Sequence, residues 1–554
     1  MASLKLNLFI FMQIKDGIVW LWRASETFRT RILCAGLIGM ARVAVSLTSV
    51  WICKEIIDNV TRQGGGRLDV LIPLMIGCMA LRMILSQISA RLSRKTEAKL
   101  ANRLRHDLFD HLMRIRWDGH QAKHSGDILN RMIDDVTTVA GILCDGVPVT
   151  MVTASQLIGA LYILTMMDVR LAMALLFIMP AALLLSKSYV RRMRRLTRGI
   201  RSEESAVQAH IQESVQNRLL LRSLEYTPYS VSKLDSLQSA LLGKVMRYTD
   251  YSLFSRMMVQ TGFAAGYVTA FLWGIFGIQS GAITFGTMTA FLQLVAQIQN
   301  PTVELSRQVP AFIRAMTSAE RLAELFNEPS EPEENPVRLE GKTGIRIENM
   351  TFSYPEDGQR IFSDLSYDFT PGSQTAILGK TGIGKTTLMR LILALATPDS
   401  GRIVFYNEYG GEIPASQATR CNLSYVPQGN TLFSGTVRDN LKMGNPEATD
   451  EELVSALHAA TADFVMEAPE GLDTRCGEKG AGFSEGQAQR IAIARGLLRP
   501  GGVLLLDEPS SSLDVETEKV LIERLKTKAE GKTLIVITHR EEIAAICSSA
   551  LRLG

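Results

Sequence analysis

Cysteine is scarce in this chain and never falls at paired spacing. Seven occur in 554 residues: Cys34, Cys53, Cys78, Cys144, Cys421, Cys476 and Cys547. Such scatter suggests no zinc centre and no disulfide framework, and it fits a reducing environment for the hydrophilic half. Net charge is equally thin. A surplus of +4 is too small to imply nucleic-acid binding. The apolar stretch Leu6–Ile14 is short and has no evident small-residue cleavage site, so it is not read as a signal peptide. Hydrophobic residues at 46% and charged residues at 21% would alone suit a water-soluble enzyme. At this length two to four domains are expected.

What is present is unevenly spread. Six stretches before about residue 310 are apolar enough to cross a bilayer: 32–57, 70–90, 146–167, 169–190, 258–279 and 286–307. A helical span needs about 20 such residues. Buried helices of a soluble protein are the alternative, disfavoured because soluble helices average about 11–12 residues. The connections alternate in character. Thr61–Asp69, Asp168 and Ser280–Thr284 are short, whereas the others carry Arg91, Arg94, Lys95 and Lys99, then Arg191, Arg192, Arg194 and Arg195. Lys and Arg beside span ends remain in the cytoplasm, so both termini and the C-terminal half are expected there. Ahead of the first span, Lys15–Arg29 mixes Trp20 and Trp22 with charges, as a segment lying along the membrane interface would; a disordered leader is the alternative. The Pro- and Glu-rich Asn327–Gly344 reads as a linker. The expected organisation is an interfacial segment 1–30, a six-helix membrane domain 31–326, a linker 327–344 and an α/β domain 345–554.

Arg42, Arg82, Asp145, Arg256, Glu304 and Arg307 fall near the inner third of the spans. An unpaired charge at that depth costs about 2.5–3.5 kcal/mol or more. Two readings follow. One is a water-filled cavity with internal Arg–Asp and Arg–Glu pairs. The other is a basic vestibule for an amphiphile with an anionic head.

The second half carries a phosphate-binding pattern. The apolar Thr375–Leu378 leads into Gly379, Lys380, Thr381, Gly382, Ile383, Gly384, Lys385 and Thr386, and a helical stretch opens at Thr387. Glycines let backbone N–H groups wrap phosphates, and the helix N-terminus adds partial positive charge. Lys385 would reach the β- and γ-phosphates, and the Thr386 hydroxyl would bind Mg²⁺. Val503–Leu506 reads as a strand buried on both faces. It delivers Asp507, placed to hold Mg²⁺, and Glu508, placed to polarise an attacking water as general base. A further buried strand, Leu534–Thr538, ends in His539, within reach of a γ-phosphate.

With these residues in order, the chain resembles the ATP-binding cassette (ABC) transporters, specifically the exporter type in which membrane and nucleotide domains share one polypeptide. The resemblance implies ATP and Mg²⁺ as cofactors. It assigns Tyr354 to adenine stacking, 379–386 and 504–508 to the two Walker motifs, and Gln428 to contact with Mg²⁺ and water. It also assigns Ser484, Gly486 and Gln487 to the signature, Asp514 to the loop crossing the dimer interface, and His539 to the switch position. Phe483 and Glu485 replace the Leu and first Gly of that signature. Trp117–Asp135 and Glu225–Asp235 match the cytoplasmic turns, and Gly477–Gly480 matches a segment that docks against them.

The implied protein is an exporter that hydrolyses ATP in a bacterial plasma (inner) membrane. It would move an amphiphile (a lipid, lipid-linked compound, peptide or drug) outward by alternating access, paired with a second copy of itself or with a heterodimer partner. An ATP-binding regulatory subunit with little turnover is the alternative. A soluble ATPase of DNA repair or translation would share the nucleotide motifs, but the six spans argue against it.

Overall fold

The computed structural model describes residues 17–61, 68–116, 125–354, 360–380, 382–477, 480, 482–509, 513 and 515–553. The chain divides into two compact units, Met1–Asp110 with Gly126–Asn327, and His111–Ser125 with Glu328–Gly554.

The first unit is helical. Its long elements are α1 (Arg29–Thr61), α2 (Leu68–Arg114), α3 (Val147–Met167), α4 (Val169–Gln216), α5 (Thr227–Gln279) and α6 (Phe285–Phe326). Their apolar runs contain few breakers, and the ends are chemically marked. Asp168 closes α3 and caps α4, its carboxylate accepting from the N–H groups of Arg170 and Leu171 at 2.9 and 3.1 Å. Thr284 caps α6 by accepting from Thr287 N at 3.1 Å. Such caps satisfy N–H groups that the helix itself cannot.

Among the described residues four helical stretches are long and apolar enough to span a membrane: Glu26–Thr61, Leu68–Arg114, Gly126–Met167 and Thr227–Gln279. Six were expected from the sequence, and the side chains of much of the expected span 169–190 lie outside the described residues. In α6 the sequence interleaves Gln293, Gln297, Gln299, Glu304 and Arg307 with its apolar residues and carries Pro301 and Pro310, which dilutes its hydropathy. The second expected turn is also shorter than read. Pro228 stands in the first turn of α5, where a missing N–H is harmless. The bend therefore narrows to residues 224–226, with Glu225 at φ +54°.

The core of this unit gathers Val43, Leu47 and Val50 of α1, Ala160 and Leu164 of α3, and Phe291, Leu294 and Val295 of α6. At one end of that core Asp58 on α1 accepts from Gly286 N at 3.0 Å and pairs with Lys54 at 3.2 Å. The approach is close enough that a Cβ on Gly286 would lie 2.3 Å from the Lys54 carbonyl oxygen. Gly286→Val is therefore expected to cost about 1–3 kcal/mol. It should lower the melting temperature of the detergent-solubilised chain, whereas Gly77→Val, where a Cβ meets nothing within 4 Å, should change it little. Equal melting of the two variants would remove this contact from the stability argument.

The second unit is α/β. An antiparallel sheet runs in the order β2-β1-β4-β5, built from β1 (Thr343–Ser353), β2 (Arg360–Phe369), β4 (Ser400–Asn407) and β5 (Glu412–Pro414). The buried sheet is parallel, in the order β11-β3-β10-β9-β6, from β3 (Gln374–Leu378), β6 (Leu423–Val426), β9 (Val503–Asp507), β10 (Thr533–Thr538) and β11 (Ser549–Arg552). Helices α7 (Lys385–Ile392) and α8 (Glu485–Leu498) pack with it. Strands β9 and β10 are buried at every position, which accounts for unbroken apolar runs where an open sheet would alternate. In such sheets, ligands collect at the carboxyl ends of the strands. The Pro- and Glu-rich segment is fastened to this unit: Glu331 grips Arg420 with both oxygens, at 2.6 and 2.8 Å.

Candidate functional site: the carboxyl ends of the parallel sheet

The loop leaving β3 turns back at Gly384, whose φ of +108° suits glycine best. Immediately after it α7 begins, so its first N–H groups face the loop. Lys385, 8% exposed, folds across this loop and donates from Nζ to Gly379 O at 2.7 Å. Its ammonium stands 4.0 Å from Glu508 Oε1. Thr386 is exposed at the loop, Thr387 is buried, and Lys380, Gly382 and Ile383 complete the bend. Thr381 lies outside the described residues.

Glu508 leaves the end of β9 at φ +47° while its N–H is held by Ile537 O at 3.0 Å. A non-glycine residue in that region is strained by about 1–3 kcal/mol, and such strain concentrates at functional sites. Two side chains from neighbouring strand ends converge on its carboxylate. Gln428 Nε2 donates to Oε2 at 2.9 Å, and His539 Nδ1 stands 3.6 Å from Oε1.

Asp507 is buried beside Glu508. Burial first, and then the Glu508 charge, push its carboxyl above the ordinary value of 3.8, with Lys385 and the Tyr425 hydroxyl opposing. Tyr425 is itself pushed up to about 12, by burial and by Asp507. The residues present fit a divalent cation. Thr386, Asp507 and Gln428 offer hard oxygen donors, and two adjacent acids share one counter-charge. Among the described residues no cluster of three His, Cys, Asp or Glu could hold a metal by itself. Mg²⁺ usually keeps several waters and is bound through one or two carboxylates together with substrate phosphates.

A carboxyl whose folded pKa is raised contributes stability below its unfolded value and loses it as pH rises through the folded value. Without nucleotide or Mg²⁺, the melting temperature of Asp507→Asn should therefore pull ahead of the parent chain as pH rises above the ordinary carboxyl value of 3.8. With Mg²⁺ and ATP added, the parent should regain the lead. Parallel melting curves above that value would mean that Asp507 carries no strain.

Tyr354 is tied to the same loop. Its hydroxyl meets Thr387 Oγ1 at 3.2 Å and accepts from Arg390 at 2.9 Å, while its ring stands edge-on to Phe352 at 5.1 Å. The signature residues form a separate group. Ser484 caps α8, accepting from Gln487 N at 3.2 Å, and Gln487 Oε1 accepts from Ser484 N at 2.9 Å. Gly486 is buried in the first turn. Among the described residues no hydrogen bond or ion pair joins Ser484, Gly486 or Gln487 to the phosphate loop. Asp514 lies outside the described residues, as do Trp117 to His124, Glu478 and Lys479 of the expected docking segments. Sequence reasoning missed Tyr425 and Arg390 as partners of the site. Tyr425 sits in the segment that supplies Gln428, but only the parallel pairing of β6 with β9 brings it to Asp507.

A glycine-bent phosphate loop closed by a lysine and faced by two acids defines a P-loop ATPase, here joined to a unit of membrane-length helices. Residues 32–302 match the family described as the ABC transporter transmembrane region, and residues 362–511 match the ABC transporter family. The chain belongs to the ABC transporters, and its ATPase is coupled to transport. Among its relatives is the YgaD protein of Bacillus subtilis (strain 168), whose name describes a multidrug export ATP-binding/permease protein. That protein is 28% identical over 93% of this chain and 90% of its own length. A similarly named protein of Staphylococcus aureus (strain NCTC 8325 / PS 47) is 28% identical over 93% and 91%. A solved bacterial Atm1-family ABC exporter with ATP bound superposes with a TM-score of 0.76 at 22% identity, covering 96% of this chain and 94% of that one. The fold is therefore of the exporter type, in an integral membrane protein.

Proposed function

We propose that this chain exports an amphiphile across a bacterial plasma membrane by alternating access, working as a dimer that sandwiches two ATP molecules between phosphate loop and signature. The observation that carries the ATPase part is the convergence of Gln428, Lys385 and His539 on Glu508. In this reading a water held by Glu508 and Gln428 attacks the γ-phosphorus, and the bond to the β–γ bridging oxygen breaks. Glu508 takes the water's proton, and ADP departs. Lys385 and the loop N–H groups hold the phosphates, Tyr354 stacks on adenine, and His539 faces the γ-phosphate. Mg²⁺ bound at Thr386, Gln428 and Asp507 would neutralise charge developing on the phosphate oxygens. Asp514 would reach the dimer interface. Ser484, Gly486 and Gln487 would meet the ATP of the partner subunit, since among the described residues they make no polar contact with their own loop.

In this reading the membrane part crosses the bilayer six times, which would put both termini and the ATPase domain in the cytoplasm. The charges near the inner third of the expected spans support an anionic amphiphile. Among the described residues none of Arg42, Arg82, Asp145, Arg256, Glu304 and Arg307 forms an ion pair. Arg42 instead donates to Ser86 at 3.3 Å, and Glu304 accepts from Gln308 at 3.1 Å. Four arginines, without carboxylate partners among the described residues, outnumber Asp145 and Glu304 and leave this set of charges net basic. The test is ATP hydrolysis by the purified chain in liposomes, titrated with acidic and neutral amphiphiles. Acidic compounds should stimulate more, and Arg42→Gln with Arg82→Gln should reduce that preference, as should salt. Equal stimulation by both classes would return these arginines to a structural role.

A further inference from the structure

The signature departs from its family pattern at two positions with different physical consequences. Phe483 is half-buried and packs against the core beside Phe464, the rings 6.2 Å apart, so it keeps the apolar role of the residue it replaces. Glu485 changes the chemistry. It is exposed at the first position of α8. Its Oε1 is the nearest atom to the position a Cβ on Gly429 would take, at 3.9 Å. One turn later Gln489 donates to Pro427 O at 3.2 Å. The first turn of α8 thus packs on the Pro427–Gly429 corner from which Gln428 reaches Glu508.

A helix N-terminus carries roughly half a positive charge, which is what favours a phosphate there. Ser484 and Gln487 satisfy one another in a capping box, so the capping chemistry adds no net charge. Glu485 adds a full negative one. We propose that Glu485 sets the ATP affinity of the closed dimer: its carboxylate opposes the partner subunit's γ-phosphate and raises the ATP concentration at which the two ATPase domains close. This rests on the sandwich reading above.

The experiment measures ATP occlusion, as labelled nucleotide retained by the full-length chain in liposomes, with hydrolysis blocked by Glu508→Gln. Adding Glu485→Gln should lower the half-maximal ATP concentration about two- to fivefold, and Glu485→Asp should not. The difference should shrink as salt rises. In the hydrolysing chain, Glu485→Gln should act mainly on KM rather than on kcat. An unchanged or higher half-maximal concentration in Glu485→Gln would overturn the proposal while leaving the sandwich standing. Absence of occlusion in Glu508→Gln itself would bring down the sandwich and this inference with it.

Discussion

Glu508→Gln should reduce steady-state ATP hydrolysis by about 10²–10⁴-fold while leaving ATP binding near its original strength. The geometry separates the two effects. Glu508 contributes a carboxylate with Gln428 at 2.9 Å and His539 at 3.6 Å, whereas the phosphate cradle is built by the loop before α7. Glutamine keeps the size and one acceptor oxygen but cannot take the proton of the attacking water. Its amide also meets the amide of Gln428, which can turn to offer oxygen instead of nitrogen. Turnover would be read from phosphate release and binding from retained labelled ATP. Undiminished release in Glu508→Gln would move the base role elsewhere, with His539 the next candidate by position.

Lys385→Ala should fail earlier in the cycle. The ammonium is almost fully buried, bonded to Gly379 O at 2.7 Å and 4.0 Å from Glu508. Removing it deletes the cation facing the phosphates and leaves Asp507 and Glu508 side by side with less counter-charge. A hydrogen bond to a charged group is worth about 1.5–3 kcal/mol. ATP affinity should therefore fall by roughly 10- to 100-fold, with hydrolysis lost at ordinary ATP concentrations. Isothermal titration with Mg²⁺ and ATP would give the affinity, and Lys385→Arg tests whether charge alone suffices. The loop is cut to a point cation, so arginine should not restore function. Wild-type affinity in Lys385→Ala would show that backbone N–H groups alone hold the phosphates.

The two substitutions fail at different steps because the site is assembled from two kinds of sequence. Residues 379–387 are contiguous, and their chemistry is local. Glycines at the bend, a lysine at the helix start and hydroxyls beside it produce a phosphate cradle from one strand–loop–helix passage, whatever the rest of the chain does. The buried strands ending at Asp507, Glu508 and His539 were legible for a similar reason, since unbroken apolar runs mark strands covered on both faces. The division into an apolar half and an ATPase half also required only composition and the spacing of basic residues.

What remained hidden depends on which elements become neighbours. Pairing of β6 with β9 in the register Tyr425↔Leu505 and Val426↔Leu506 carries Gln428 to Glu508 and Tyr425 to Asp507, and no local pattern fixes that register. The strained φ of Glu508 arises only once Ile537 on the adjacent strand holds its N–H. Gly286 and Asp58 are separated by 228 positions, yet their contact decides how closely α1 and α6 approach. Hydropathy likewise separated apolar from polar sequence without saying which helices hold their polar residues against neighbours. The sequence by itself determined the ATP chemistry and the membrane character, because those follow from residue types at short spacing. Tertiary structure decided how the Glu508 carboxylate is oriented and where Glu485 lies, because both depend on contacts between segments distant in the chain.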